Sequence, residues 1–280
     1  MPELPEVETV RAGLARLLAG ASIAHVINHR RDLRTPLPRD WSALHGPVTG
    51  VRRRAKYLLI DTAQASMLNH LGMTGWWRIA DAGSTVPATQ VRRPGTPNPA
   101  HDHLSVSLVD GRRLVFNDPR RFGMADLVTA GTIHPSLADL GPEPLGQDFS
   151  GRHLFTIGRG RRGAIKALIM DQAAVVGVGN IYAQEALFRA RIRPTRPAGR
   201  LRADECDRLA DEIRTVLREA IAAGGSTISD FVHAGGGEGL FQHRFQVYDR
   251  GGQPCPACGA PLHRAAIAGR TTCWCRSCQR

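Results

Sequence analysis

Cys255-Pro256-Ala257-Cys258 and Cys275-Arg276-Ser277-Cys278, with sixteen residues between them, are the part of this chain that reads most directly as structure. Two Cys-x-x-Cys pairs at this spacing predict two thiolate knuckles on a β-hairpin, converging on one tetrahedral zinc ion. Four protein ligands fill the shell, so the zinc is expected to be structural, with no position left open for water. Two disulfides are the competing reading, and they need an oxidising compartment. The chain starts Met1-Pro2-Glu3-Leu4-Pro5-Glu6, an acidic, proline-rich opening unlike a secretory signal, and the expectation is a cytoplasmic protein. Cys273 lies two residues before Cys275, would point the same way in a strand, and stays a rival for the third ligand. The Cys-x-x-Cys pairing favours Cys275. Between the pairs, Arg270 falls near the expected strand turn. A hairpin presenting an arginine can enter a nucleic-acid groove or clamp a phosphate, although zinc ribbons also serve as protein-binding modules.

Upstream of the cysteines the apolar spacing is helical. Residues 203–223 put Cys206, Leu209, Ile213, Val216, Leu217 and Ala220 on one face, closed by Gly224-Gly225. Residues 164–171 and 180–190 are further helix candidates. Between them, Val175-Val176-Gly177-Val178-Gly179 permits close backbone approach. Asn180 then opens a helix, a place suited to a phosphate or simply a helix–helix turn. The glycine-rich stretch 226–240 reads as a linker or a ligand-sensing loop. Farther towards the amino end the pattern changes to strands from 21 to 128. Leu104 to Val109 and Arg113 to Phe116 flank Asp110-Gly111, a strong hairpin signal. Residues 81–100 read as a long exposed loop, and 6–20 as an amphipathic helix ended by Gly20.

The 280 residues are enough for two domains, and no run of eighteen apolar residues suggests a membrane span. A formal charge of +12 argues for a polyanionic partner, most simply nucleic acid. Of 37 basic residues only Lys56 and Lys166 are lysine. Arginine binds phosphate but does not give up a proton, so two retained lysines raise the question of what an ammonium supplies there. The other local oddity is Pro2. Methionine before proline is commonly removed, which would expose a secondary amine able to attack an electrophilic sugar carbon and form an iminium. Glu3 and Glu6 stand near enough to move protons. Read without context, Pro2 and Pro5 only stiffen the start of a helix.

Seven motifs in order supply the context. They are Pro2-Glu3-Leu4-Pro5-Glu6-Val7-Glu8, Arg53-Arg54-Ala55-Lys56-Tyr57-Leu58-Leu59, His70-Leu71-Gly72-Met73-Thr74-Gly75, Asp118-Pro119-Arg120-Arg121-Phe122-Gly123, Leu140-Gly141-Pro142-Glu143-Pro144-Leu145, Val176-Gly177-Val178-Gly179-Asn180-Ile181-Tyr182 and Gln246-Val247-Tyr248. End to end, the chain resembles the formamidopyrimidine-DNA glycosylase family, bifunctional bacterial enzymes that excise oxidised purines such as 8-oxoguanine. The endonuclease VIII branch, with glycine where this chain has Leu4, fits less well.

The resemblance implies an α+β protein. An N-terminal β-sandwich domain with a leading helix would span 1–131. A helix–two-turns–helix domain carrying the lesion loop would span 132–245, and a zinc-binding β-hairpin 246–280, with DNA in the cleft between domains. It implies a monomer acting on damaged double-stranded DNA. Pro2 would attack the sugar and expel the base, and Glu3 would be the general acid. Lys56 would act in β-elimination and contact phosphate, and Arg270 would assist δ-elimination, leaving a one-nucleotide gap. Lys166 matches a lysine associated with the oxidised base. Met73, Arg120 and Phe122 would fill the hole left by the extruded nucleotide, and His101, Arg161 and Asn180 would contact DNA. Residues 226–240 match the loop that covers the flipped base. Departures are Cys273-Trp274 before the third zinc ligand, where two aromatic residues are usual, Phe245 for leucine, Asp249 for glycine, and a longer 81–100 loop. A DNA-binding protein without chemistry and a preference for oxidised pyrimidines are the alternative functions.

Overall fold

The computed structural model describes residues 1–80, 98–226 and 240–280. The loops expected at 81–100 and 226–240 therefore lie, apart from their ends, outside the described residues. The chain forms two compact units, Met1–Ala138 with Ala223–Gln242, and Asp139–Ala222 with His243–Arg280.

The first unit opens with helix α1 (Leu4–Leu17). It starts two residues earlier than apolar spacing suggested. Pro5 presets the first turn, and the Glu6 carboxylate accepts the Glu3 N–H at 2.8 Å, satisfying a donor that a helix start leaves without a partner. The strands follow as β1 (Ser22–Asn28), β2 (Gly46–Pro47), β3 (Gly50–Arg54), β4 (Tyr57–Asp61), β5 (Ala65–His70), β6 (Trp76–Ala80), β7 (Asp102–Leu108), β8 (Arg113–Asn117) and β9 (Met124–Thr129), with a short helix α2 (Pro135–Ala138). They form two antiparallel sheets, β2-β1-β7-β8-β6 and β3-β4-β5-β9. The expected Asp110-Gly111 hairpin joins β7 to β8, with Gly111 at φ +88°. One apolar cluster draws Ile23, Val106, Leu114 and Phe116 from the first sheet, Leu58, Ile60 and Met67 from the second, and Val7, Val10 and Leu14 from α1. The two sheets therefore share one core with α1 against it, as a sandwich requires.

The second unit contains α3 (Gly151–Gly158), α4 (Ile165–Met170), α5 (Asn180–Arg189), α6 (Ala203–Ala222), β10 (His263–Ile267) and β11 (Arg270–Trp274). The sequence reading left out α3. Its eight residues bury one large apolar side chain, Leu154, and begin and end in glycine; only the Ser150 cap, accepting from the His153 N–H at 3.1 Å, marks it. Gly151 is needed there, because a Cβ would fall 2.1 Å from Asp207 Oδ1 on α6. Between α4 and α5 the chain makes two turns. Ala174 and Val175 N–H groups bond to the Asp171 carbonyl, and the Gln172 side chain accepts from the Gly177 N–H at 2.8 Å, with Gly177 at φ +79°.

Candidate nucleic-acid site and zinc centre

In the first unit the amino end is built around Glu6. Its carboxylate holds the Glu3 N–H on one oxygen and, on the other, the Ser226 N–H at 2.9 Å and the Ser226 hydroxyl at 3.0 Å. Gly225, at φ +85°, lies against Glu6, where a Cβ would come within 3.1 Å of Oε1. Glu3 is 4% exposed and Pro2 half-buried. Glu6 and Ser226 thus tie the root of the 227–239 segment to the residues that follow Pro2.

Lys56 sits in the two-residue turn between β3 and β4, closed by the Arg54–Tyr57 pair, with Ala55 at φ +54°. Arg53 braces that turn. Its guanidinium donates to the Ala55 carbonyl at 2.9 Å and to Glu8 at 3.0 Å. Lys56 is buried, at 7% exposure. His70 is the register partner of Tyr57 on β5, ring edge to ring face at 5.0 Å. Burial first, then the positive charges of Lys56, Arg34 and the chain's amino group, pull His70 down to about 4. His70 is neutral at physiological pH, and its Nδ1 accepts the Gly72 N–H at 2.9 Å. Lys56 and the amino terminus thus both lie within electrostatic reach of His70. His70 heads one of the seven motifs, but the motif gave it no role; its strand register with Tyr57, next to Lys56, is the signal that could have.

The expected wedge residues occupy two touching loops. Met73 is 36% and Phe122 44% exposed, and both are large apolar side chains facing solvent. The Arg120 guanidinium lies over the Phe122 ring, 4.8 Å from its centroid. His101 closes a single 3-10 turn, Pro99–His101, and its carbonyl accepts the Asp118 N–H at 3.0 Å.

In the second unit Lys166 is fully buried. Its ammonium donates to Asn180 Oδ1 at 2.5 Å and to Thr272 Oγ1 at 2.6 Å, linking α4, the start of α5 and strand β11. Asn180 also donates to the Thr271 carbonyl at 3.2 Å. Gln184 on α5 donates to that carbonyl at 3.2 Å and accepts the Cys273 N–H at 2.6 Å. Thr272 and Gln184 are residues the sequence reading missed. Their role comes from α5 lying along β11, which no local pattern encodes. Arg161 is exposed. Arg270 is exposed beside the β10–β11 turn, where Ala268 (φ +50°) and Gly269 (φ +69°) make the tight bend that hairpins favour.

The four cysteines of the two pairs bring their sulfurs within 4.8 Å of one another, Cys255 to Cys278 at 4.0 Å and Cys258 to Cys275 at 3.5 Å. Zn–S bonds of about 2.3 Å in a tetrahedron need sulfurs about 3.8 Å apart, so these residues fit one zinc ion. Cys273 is outside the group. It is buried, its N–H goes to Gln184, and burial raises its thiol pKa. Cys206 is core on α6, its thiol pushed up to about 11 by burial and by Glu205 and Asp207. Glu185 anchors the turn that leads towards the hairpin. Its carboxylate accepts the N–H groups of Gln246, Val247 and Tyr248 at 2.9 to 3.0 Å, while burial raises its pKa. Asp249, where the family commonly has glycine, sits at φ +56°, a conformation aspartate tolerates better than most residues.

Comparison with known proteins places this architecture in one family. Residues 1–125 match the formamidopyrimidine-DNA glycosylase N-terminal domain, 140–232 the H2TH domain of the same enzymes, and 252–280 the zinc finger found in FPG and IleRS. The chain belongs to the formamidopyrimidine-DNA glycosylase family, whose members combine DNA glycosylase and abasic-site lyase activities. It is 49% identical over 283 residues to formamidopyrimidine-DNA glycosylase of Stenotrophomonas maltophilia strain R551-3 and 47% identical to that of Bdellovibrio bacteriovorus, each alignment covering 100% of both chains. Among solved structures, the MutM (Fpg) protein of Thermus thermophilus is 42% identical, with a TM-score of 0.84 over 99% of this chain and 98% of that one. A Lactococcus lactis Fpg complexed with abasic-site DNA is 31% identical, with a TM-score of 0.85 and 99% coverage of both. This chain is accordingly a DNA glycosylase of that family, with a zinc-finger module. No helix among the described residues is long and apolar enough to cross a membrane.

Proposed function

We propose that this enzyme removes oxidised purines, 8-oxoguanine and formamidopyrimidines, from duplex DNA through a Schiff base on Pro2 and then cleaves the abasic strand by β,δ-elimination. The observation that carries the reading is that the amino terminus and Lys56 both lie within electrostatic reach of a neutral His70. Loss of Met1 would free a secondary amine at Pro2, a nucleophile able to form an iminium with a sugar carbon. Attack by the Pro2 nitrogen on the sugar C1′ forms a C–N bond as the base departs with the N-glycosidic electrons. Ring opening needs a proton on the ring oxygen, and Glu3, next to Pro2 and with its N–H held by the Glu6 carboxylate, is the acid that would supply it. Lys56 then serves β-elimination and a flanking phosphate, and Arg270 the δ-elimination. Met73, Arg120 and Phe122 fill the vacated stack. His101, Arg161 and Asn180 contact the DNA, and Lys166 acts through Asn180 and Thr272. The protein works as a monomer, in the cytoplasm.

Borohydride trapping of the Met1-processed, zinc-loaded protein tests this on paired duplexes carrying 8-oxoguanine or thymine glycol. The expected result is a covalent adduct and faster excision of 8-oxoguanine. An adduct that survives chemical capping of the terminal nitrogen removes Pro2 from the mechanism. Faster release of thymine glycol overturns the substrate assignment.

A further inference from the structure

Two loops carry the proposed wedge, 71–75 with Met73 and 118–123 with Arg120 and Phe122. They are 44 residues apart in sequence at their closest linkage, Thr74 to Asp118. Asp118 is fully buried and Thr74 is 6% exposed. The Thr74 hydroxyl donates to Asp118 Oδ1 and accepts the Arg120 N–H at 3.2 Å. Asp118 Oδ2 accepts the Gly123 N–H at 2.7 Å. The backbone of the same aspartate takes in its neighbours. Its carbonyl accepts from His103 Nε2 at 2.7 Å, and its N–H donates to the His101 carbonyl at 3.0 Å. The loops also touch. A Cβ on Gly72 would lie 2.4 Å from the Gly123 nitrogen and 2.4 Å from the Phe122 carbonyl carbon. One carboxylate and one hydroxyl therefore fix the backbone on both sides of Phe122, the N–H of Arg120, and the residue next to Met73.

We propose that Thr74 and Asp118 are positioning residues that clasp these two loops, so that Met73, Arg120 and Phe122 enter the base stack as a single preformed unit. The proposal rests on the assignment of those three side chains to the vacated stack. A wedge on two independent loops would have to be ordered on each encounter with DNA, and that ordering would weaken its hold on the extruded state. A clasp made before binding removes the cost. The hydroxyl is suited to the task because it donates in one direction and accepts from the other, and valine, of nearly the same shape, does neither.

The test compares Thr74→Val, Thr74→Ser and the double variant Met73→Ala/Phe122→Ala. Three readouts are taken: single-turnover excision of 8-oxoguanine from duplex, fluorescence of 2-aminopurine beside the lesion as the stack opens, and cleavage of an abasic site in single-stranded DNA, where no stack needs filling. Thr74→Val takes their partner from the buried Asp118 Oδ1 and the part-buried Arg120 N–H, and is expected to slow duplex excision and stack opening about tenfold. Its single-strand cleavage should stay at the wild-type rate, and Thr74→Ser should restore the duplex reaction. Equal loss of duplex and single-strand activity in Thr74→Val, or failure of serine to rescue, reduces the pair to ordinary structure and overturns the clasp. If the double variant slows stack opening while Thr74→Val does not, the wedge stands and the clasp falls. If the double variant opens the stack at the wild-type rate, the wedge assignment fails and the clasp fails with it.

Discussion

His70 shows how one residue reports on its surroundings. Histidine in an unfolded chain titrates near 6.5, and here it is held at about 4 by burial and by the positive charges of Lys56, Arg34 and the amino terminus. Between those two values the unfolded chain takes up a proton that the folded chain refuses. Stability is therefore fully present above 6.5 and is lost progressively as pH falls towards 4. A shift of this size is worth on the order of 3 kcal/mol across the window. His70→Asn keeps an acceptor near the Nδ1 position for the Gly72 N–H but does not titrate. Urea unfolding at pH 4.5 and 7.5 should show a smaller pH difference for His70→Asn than for wild type. An undiminished difference assigns the acid sensitivity to other groups. At this scale the site was partly legible. Pro2 and Lys56 stood out because of what they replace, a plain terminus and an arginine. Lys166 stood out for the same reason, but its burial beneath Asn180 and Thr272 was invisible, since Thr272 lies 106 residues away in sequence.

Elements were legible where a local chemical cue marked them. Asp110-Gly111 announced its hairpin, the spacing of α6 its buried face, and the cysteine pairs their knuckles. What no local cue carries is pairing across the chain. β5 lies between β4 and β9, and β1 beside β7, through contacts between distant residues, so the sandwich itself came only from resemblance. The zinc hairpin is the element whose stability depends most on a single interaction. One apolar cluster there, Phe188, Val247 and Leu262, packs beside Cys255 and Cys275, two of the four thiolates, so the metal and the packing hold each other in place. Cys258→Ala should therefore lose the bound zinc and, with it, the placement of Arg270 and Thr272. Metal content measured on purified protein should fall from one equivalent to near zero, and affinity for abasic-site DNA should drop at least about tenfold, a modest figure for a lost structural metal. Retained zinc with unchanged affinity contradicts a structural four-cysteine site.

For the whole molecule the governing quantity is a charge of +12 carried almost wholly by arginine. Guanidinium does not titrate below pH 12, so the electrostatic part of DNA binding should hardly respond to pH where lysine-based binding weakens. Salt should matter instead, because each neutralised phosphate releases condensed counterions and adds about −0.9 to the slope of log affinity against log salt. Lys56, Arg161 and Arg270 alone would contribute a slope of about −2.7 by that count. Anisotropy titrations with abasic-site duplex across a salt series should give a slope at least that steep, and nearly the same slope at pH 7.5 and pH 10. Two variants separate the kinds of contact. Arg161→Gln should make the slope shallower by about 0.9, one phosphate's worth. Phe122→Ala should weaken binding to lesion-bearing duplex while leaving the slope alone, because an apolar side chain inserted between bases displaces no counterion. A slope that Arg161→Gln leaves unchanged would move that arginine off the phosphate backbone, and a slope near zero in the wild type would separate the chain's charge from its hold on DNA.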